Sequence, residues 1–428
     1  MKLGLPLARI AAMLLMPLLL HACGGGGDDS GNAAVRLVNI TQDYGALDFY
    51  ADDTRQAAAL AAGTASDYAA LAEGSYSFRL RPAGGSTNTW SQTSSLSKDT
   101  SYTVVAYNTG TSLAAAWLTD SQSAPTSGYA ALRVFNTSSD TGSVDVYVTA
   151  SDTRLSDVSP TVSGLAGANL GGYGEIANGT YRVRVTGAGD KTDLRLDIPA
   201  IALADQQIAT LVLRPAAGGV LVHGWLLNQK GTLSAYPNTT ARLRVVASVS
   251  SNGIVSATTS DATLSVSLQS PSVGSYATTP AALPGLTVKV NGTAIDTSAL
   301  GVAAGADATL LVYGDATAPQ WKLLSDDNRP ASTSTNTKLR LVHAVQGLDS
   351  TLGFNVDYVT VAESVAYGSA SDPSSVTAGT AMRLEVTSPV RVTPLYQATS
   401  VSLTAQKVYT LFMLGDATTP VPLLRKDR

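Results

Sequence analysis

The sequence predicts an all-β fold made of tandem β-sandwich units, about four of them. Short segments alternate polar and apolar residues and are rich in β-branched side chains, which is typical of strands. A strand-like start that carries one arginine recurs at Arg36, Arg133, Arg244 and Arg340. The recurrence is about every 100 residues, which matches a self-sufficient sandwich and is too long for a solenoid repeat.

The N-terminus predicts export before any of these units begins. Residues 1–22 are predicted to be a lipoprotein signal peptide, because Lys2 and Arg9 precede an apolar run over 10–20. That run is too short to cross a bilayer, which needs about 20 apolar residues. Cys23, the single cysteine of the chain, stands three positions after the end of the run. An ordinary signal peptide with an incidental cysteine is the alternative.

Cys23 is predicted to be the lipidation site. Leu20 and Ala22 resemble the pattern that precedes a lipidated cysteine, although His21 between them is atypical. Two or three acyl chains such as palmitate would anchor the protein stably in a membrane. Residues 23–33 are predicted to form a Gly-rich tether. Gly24 resembles an outer-membrane sorting signal, so we expect a cell-envelope location at the outer membrane, on its periplasmic or its cell-surface face.

Each predicted unit repeats the same order of strands. The units span 34–120, 130–228, 240–326 (divergent) and 337–428, and polar, proline-containing segments at 120–128, 228–240 and 326–337 are predicted to be linkers. After the arginine strand, a second strand is predicted at 47–50, 144–147, 264–267 and 354–358. A third follows Gly74, Gly179, Gly285 and Gly379, and a fourth covers 102–105, 209–212, 308–311 and 409–412. The alternation predicts strands with one face in water.

The motifs of these strands resemble a known family. Val35-Arg36-Leu37-Val38, Val144-Asp145-Val146-Tyr147, Gly179-Thr180-Tyr181-Arg182-Val183 and Tyr102-Thr103-Val104-Val105 are similar to the bacterial domain of unknown function numbered 4397. The resemblance is best over 34–230. It implies immunoglobulin-like sandwiches, often in tandem, in exported or surface-anchored proteins, and it supplies no catalytic residue.

Composition limits the class of function. The net charge is −4 and no basic patch occurs, so a nucleic-acid partner is not expected. With one cysteine there can be no intrachain disulfide, so each unit must be stabilised by its own core.

The sequence carries no motif of a serine hydrolase, a zinc protease or a P-loop, so the protein is predicted not to be an enzyme and to have no cofactor or metal. His223 and His343, the histidines beyond the signal, have no partner at metal-ligand spacing. The Asp48, Asp145 and Asp357 carboxylates recur in copies of one strand, which indicates a feature of the fold. A glycan-processing enzyme with a carboxylate pair stays open as a remote alternative.

Aromatic residues offer the candidate contacts. Trp117, Trp225 and Trp321 fall on closing strands and are expected to fill the core of their own units, although tryptophan also stacks on sugars. Trp90 has a polar context and no counterpart, so it is the candidate ligand contact. The pairs Asp52-Asp53 and Asp326-Asp327 are expected to be solvated loop carboxylates and not calcium ligands.

Together these observations predict a non-enzymatic, lipid-anchored envelope protein that acts as a surface spacer, an adhesion module or a binding module. Its partners would be the membrane and an envelope glycan or protein. A carbohydrate-binding envelope protein is the alternative.

Overall fold

The computed structural model describes residues 31–110 and 112–428. The predicted signal peptide and Cys23 lie outside the described residues. Within them the chain is a succession of strands with one short 3₁₀ helix, Leu155–Asp157. No helix in these two ranges is long and apolar enough to cross a membrane. The all-β prediction is confirmed.

The strands fall into four groups that follow the four predicted units. Unit one contains β1 (Asn32–Asn39), β2 (Ala46–Ala51), β3 (Thr54–Ala61), β4 (Thr64–Ala65), β5 (Ala69–Ala72), β6 (Gly74–Pro82), β7 (Trp90–Leu96), β8 (Ser101–Thr109) and β9 (Ser112–Thr119). Unit two contains β10 (Tyr129–Asn136), β11 (Val144–Thr149), β12 (Val162–Leu165), β13 (Asn169–Leu170), β14 (Gly174–Ala177), β15 (Gly179–Gly187), β16 (Asp190–Leu203), β17 (Ile208–Pro215), β18 (Val222–Asn228) and β19 (Leu233–Tyr236).

The other two units repeat this series. Unit three contains β20 (Thr240–Val249), β21 (Ile254–Thr258), β22 (Thr263–Gln269), β23 (Ser272–Val273), β24 (Ala277–Pro280), β25 (Thr287–Val290), β26 (Thr293–Ile295), β27 (Asp307–Asp315) and β28 (Ala318–Asp326). Unit four contains β29 (Asn336–His343), β30 (Leu352–Val356), β31 (Val359–Val365), β32 (Ser369–Ala370), β33 (Ser374–Thr377), β34 (Gly379–Thr387), β35 (Tyr396–Leu403), β36 (Val408–Gly415) and β37 (Pro420–Lys426).

Each unit is a sandwich of a larger and a smaller sheet. In unit one the larger sheet has the order β4-β1-β8-β9, with β5 also on β1, and the smaller has the order β3-β2-β6-β7. The arginine strand and the fourth predicted strand are neighbours and run parallel, as β1 and β8 do. The same parallel pairing recurs as β10 with β17, β20 with β27, and β29 with β36.

The core of each unit lies between its two sheets. In unit one Val35 and Leu37 of β1 meet Phe49 and Phe78 of the smaller sheet, and all four are fully buried. The alternate residue Val38 is equally buried, because the outer face of the larger sheet is covered by another unit. The expectation of one wet face is therefore wrong for the larger sheets.

Unit three corrects the predicted strand alignment. The segment 264–267 was expected to be the second strand, yet it lies in β22, which pairs with the true second strand β21. Val266 of β22 is 78% exposed. Period-2 alternation is similar in neighbouring strands of one hairpin, so the pattern alone does not separate β21 from β22.

Two of the repeated aspartates are features of the fold, as predicted. Asp48 accepts hydrogen bonds from the Ala59 and Gly84 amides, at 2.7 and 3.4 Å. Asp145 accepts from the Gly164 and Gly189 amides, at 2.7 and 2.9 Å. Each carboxylate thus joins the two segments that flank its strand.

Candidate functional site: the seams between paired units

The larger sheets of units one and two pack face to face, as do those of units three and four. We call each contact surface a seam. The apolar part of the first seam consists of Val38, Ile40, Val105, Tyr107, Leu118, Phe135, Val212, Trp225 and Leu227. The second consists of Val246, Leu311, Tyr313, Leu324, Val342, Ala344, Phe412 and Leu414. Each seam is therefore a second kind of core, built from both units of a pair.

The recurring arginines are seam residues. In every unit the arginine Nε donates to a threonine Oγ1 on the neighbouring parallel strand, at 2.8–3.0 Å. The pairs are Arg36 with Thr103, Arg133 with Thr210, Arg244 with Thr309, and Arg340 with Thr410. Because side chains alternate along a strand, the arginine points away from its own core and into the seam.

The second seam contains a reciprocal exchange of ion pairs. Arg244 of unit three forms a bidentate pair with Asp427 of unit four. Arg340 of unit four pairs with Asp326 of unit three. All four side chains are at most 4% exposed. Each unit thus supplies one guanidinium and one carboxylate to the other.

Hydroxyl groups complete this buried charge cluster. Thr309 and Tyr276 donate to Asp326 at 2.6 and 2.5 Å. Arg244 also stacks on the Tyr276 ring, with the guanidinium carbon 4.5 Å from the ring centroid. Buried charges are tolerated when they are paired and hydrogen-bonded in this way.

The same contacts set the protonation states of the cluster. Burial by itself would raise the pKa of Asp326, but Arg340 and Arg244 outweigh it and hold that pKa below its usual range. Burial raises the pKa of Tyr276 well above 10, and the Asp326 charge adds to this. Tyr276 is therefore a neutral donor and Asp326 an anion at neutral pH.

The first seam is built on the same plan with one carboxylate fewer. Asp120 occupies the position of Asp326 and accepts from Thr103 at 2.6 Å and from Tyr68 at 2.7 Å. Burial raises the pKa of Tyr68 to about 12; the hydrogen bond to Thr103 opposes this rise and Asp120 adds to it. The Gln229 amide donates to the Ile208 carbonyl, and the Asp427 amide donates to the Val408 carbonyl at the same point of its unit. Gln229 of unit two therefore takes the position that Asp427 has in unit four.

A third contact surface joins the two pairs. The Gly218 amide donates to the Gly305 carbonyl at 3.2 Å, and the Asn328 amide donates to the Gly218 carbonyl at 3.1 Å. Arg428 donates to the Gly219 carbonyl at 2.8 Å. A Cβ on Gly218 would lie 2.3 Å from the Asp307 backbone nitrogen, so only glycine fits there.

All three predicted linkers take part in the contacts between units. Asp120 and Asp326 are 6% and 2% exposed, so the prediction of a solvated carboxylate is wrong for Asp326. The segment 228–240 contains β19, which extends the larger sheet of unit two. Asp53, by contrast, is exposed as expected, with 97% of its side chain accessible.

The tryptophans separate into two groups. Trp117 and Trp321 pack partly against the cores of their own units, as predicted. Trp225 is 6% exposed and lies in the first seam, so its assignment to its own core is wrong. Trp90 begins β7, pairs with Leu80 and packs half-buried against the core of unit one. A ligand contact at Trp90 stays a prediction.

The two described histidines are held by structural hydrogen bonds. His343 is fully buried, and its Nε2 lies 3.1 Å from both the Leu348 and Ser350 carbonyls. The Nδ1 of His223 accepts from the Asn238 amide at 3.0 Å. Burial, with a smaller effect from Arg214, lowers the pKa of His223 to about 4. Among residues 31–110 and 112–428 no group of three potential metal-ligating side chains comes together.

Sequence reasoning missed the acidic and aromatic partners of the arginines. A regular spacing in the sequence points to the acidic partners: Thr103, Thr309 and Thr410 each stand 17 residues before the aspartate to which they donate. Tyr68 and Tyr276 fall in loops that the strand pattern left unassigned.

The geometry of unit one agrees with a family comparison. Residues 33–147 match the model described as Domain of unknown function (DUF4397). The match confirms the resemblance for unit one and the first strands of unit two. No curated protein matches the chain.

Two solved structures show remote similarity. The Bacillus anthracis TIE protein is 10% identical, with 69% of this chain and 48% of that chain covered and a TM-score of 0.13. The other is a product complex of the multi-modular glycogen-degrading pneumococcal virulence factor SpuA. It is 8% identical, with 86% of this chain and 38% of that chain covered and a TM-score of 0.18. The chain therefore spans less than half of either structure, and neither similarity carries an argument about function.

Proposed function

We propose that this protein is a non-catalytic, lipid-anchored component of the cell envelope, in which four β-sandwich units form a stiff spacer. Cys23 would carry acyl chains such as palmitate and hold the chain at the outer membrane. The paired units would then carry a binding or adhesive surface away from that membrane.

The observation that carries the proposal is the reciprocal Arg244–Asp427 and Arg340–Asp326 exchange across an apolar seam. Breaking one side of such an exchange leaves a buried charge without a partner, which costs about 3–5 kcal/mol. Units held in this way stay in register, whereas units joined by linkers alone reorient freely.

The chemistry of the titratable groups supports a non-catalytic role. His343 and Asp326 are both buried and committed to structural hydrogen bonds, and Asp145 joins two backbone segments. Groups engaged in this way have no free reactive atom in a cleft.

Stiffness is tested by distance measurement. In a Cys23→Ser background, cysteine replaces exposed Asp53 of unit one and exposed Val392 of unit four. The two introduced thiols are then labelled with a donor and an acceptor dye. Single-molecule energy transfer should give one narrow distance distribution. Asp427→Ala should broaden it. A broad distribution in the parent protein would contradict the spacer model.

Anchoring is tested separately in a Gram-negative host. Cells fed an alkyne analogue of palmitate should label the native protein and not the Cys23→Ala variant. Protease added to intact cells then distinguishes a surface-displayed protein from a periplasmic one. Labelling that persists in Cys23→Ala would contradict lipidation at this residue.

A further inference from the structure

The two seams of the chain are alike in construction but differ in charge. The second seam holds two arginines, Arg244 and Arg340, and two carboxylates, Asp326 and Asp427. The equivalent positions of the first seam hold Arg36, Arg133, Asp120 and a neutral glutamine. One positive charge of the first seam is therefore not compensated by an equivalent carboxylate.

Arg36 is the cation that lacks the equivalent partner. Gln229 stands where Asp427 stands in unit four, but its side chain exchanges hydrogen bonds with the backbone of Gln122. Arg36 instead donates to the carbonyl oxygens of Gly231 at 2.5 Å and Asn228 at 3.0 Å.

These contacts leave part of the guanidinium unused. A guanidinium has five N–H donors, and Arg36 uses three of them, toward Thr103, Gly231 and Asn228. The residue is only 3% exposed, and it forms no direct ion pair with a carboxylate in the described part of the chain. Asp120 reaches it only through Thr103 and Tyr68, which both donate to that carboxylate. A buried cation in this state favours an anion nearby.

Arg36 lies in the wall of a cleft that can admit such an anion. The cleft has a volume of about 500 Å³ and lies between unit one and the turn after β18 in unit two. Lys230 of that turn is exposed and lines the same cleft, together with Tyr68 and the polar side chains of Ser66 and Thr232. Asp67 also lines the cleft, so its two cations, Arg36 and Lys230, exceed its carboxylates by one.

We propose that this cleft binds an acidic sugar through its carboxylate. Asp427 on Arg244 is the internal precedent, because the same arginine position holds a carboxylate in the second seam. At Arg36 both Nη atoms already donate to backbone carbonyls, so a ligand carboxylate would take their remaining N–H groups. A single carboxylate would compensate the single excess charge, Lys230 would provide the second cationic contact, and the hydroxyl groups of the lining would meet the sugar hydroxyls. The inference adds a ligand site to the proposed spacer and does not depend on lipidation or location.

Titration calorimetry on the purified protein tests the proposal with galacturonate as the probe. Galactose lacks the carboxylate and should bind at least about tenfold more weakly, since a hydrogen bond to a charged group is worth about 1.5–3 kcal/mol. N-acetylglycine carries a carboxylate without the sugar and should also bind more weakly. Sulfate is titrated as a third comparison: it should bind as tightly as galacturonate if the cleft accepts any anion, and more weakly if the cleft selects a carboxylate.

Gln229→Asp is the decisive variant, because it supplies the internal carboxylate of the second seam. It should lower galacturonate affinity at least about tenfold, while its denaturation midpoint stays level or rises. Lys230→Gln should weaken binding severalfold, and Lys289→Gln, an exposed lysine of unit three, is the matched control without effect.

Galacturonate binding that both Gln229→Asp and Lys230→Gln reduce supports the site. No binding by the parent protein overturns it, as does binding that both variants retain. Equal binding of galactose, N-acetylglycine or sulfate overturns the assignment to an acidic sugar.

Discussion

Replacing Asp427 by alanine should destabilise the second seam more than a surface substitution can. The Asp427 side chain is 1% exposed, it forms the bidentate pair with Arg244, and it accepts from Thr410 at 2.5 Å. Removing it leaves the Arg244 guanidinium buried with only Asp326 nearby, at 3.7 Å. Truncating one partner of a buried ion pair costs about 3–5 kcal/mol, which is a large share of the 5–15 kcal/mol that usually separates folded and unfolded states.

Urea denaturation followed by tryptophan fluorescence measures this loss, and hydrogen exchange of the β27 and β36 amides locates it in units three and four. Asp53→Ala is the matched control, because the exposed Arg79–Asp53 pair at 3.2 Å should contribute at most about 1 kcal/mol. The double variant Arg244→Met with Asp427→Leu should recover most of the stability, since it leaves no unpaired charge. A loss for Asp427→Ala no larger than that for Asp53→Ala would refute the argument.

Three further predictions concern other contacts. Trp225→Ala should cost about 3–5 kcal/mol in the unfolding of units one and two, because the ring is 6% exposed in the first seam; a urea midpoint equal to that of the parent would contradict this. Gly218→Ala should separate the two pairs without unfolding them, seen as a larger radius of gyration in X-ray scattering, whereas Gly45→Ala, with open space at its Cβ, should not change it. Lowering the pH from 7 to 4.5 should destabilise the protein through His223, whose folded pKa of about 4 lies below the 6.5 of an unfolded histidine. Between pH 7 and 4.5 His223 takes up a proton in the unfolded state but not in the folded one. A proton on its Nδ1 would remove the acceptor of the hydrogen bond from the Asn238 amide. The stability difference between the parent and His223→Gln should therefore fall across this range, and a constant difference would contradict the assignment.

Most of the strands could be predicted from the alternation of polar and apolar residues. Strands with Arg36, Arg133, Arg244 and Arg340 were predictable because apolar residues alternate around each arginine, and period 2 is a local property of the chain. Gly74 and Gly179 begin predicted strands at φ of 150° and 156°, which favours glycine there. The second strand of unit three was misplaced because β21 and β22 carry similar patterns.

The seams were predictable only in part. The recurrence of the arginines was visible in the sequence, but a lone arginine on an alternating strand is also what a solvated face contains. Trp225 illustrates the same limit, since a tryptophan on a closing strand can face its own core or a neighbour.

By itself, then, the sequence determined the all-β class, the repeated unit and the positions of the arginine strands, because these follow from local periodicity and turn chemistry. The tertiary structure decided which faces are wet and which carboxylate meets which arginine. Arg244 and Asp427 are separated by 183 residues and come together only when two complete sheets pack against each other. Such a pairing depends on the relative placement of folded units, and no local pattern encodes it.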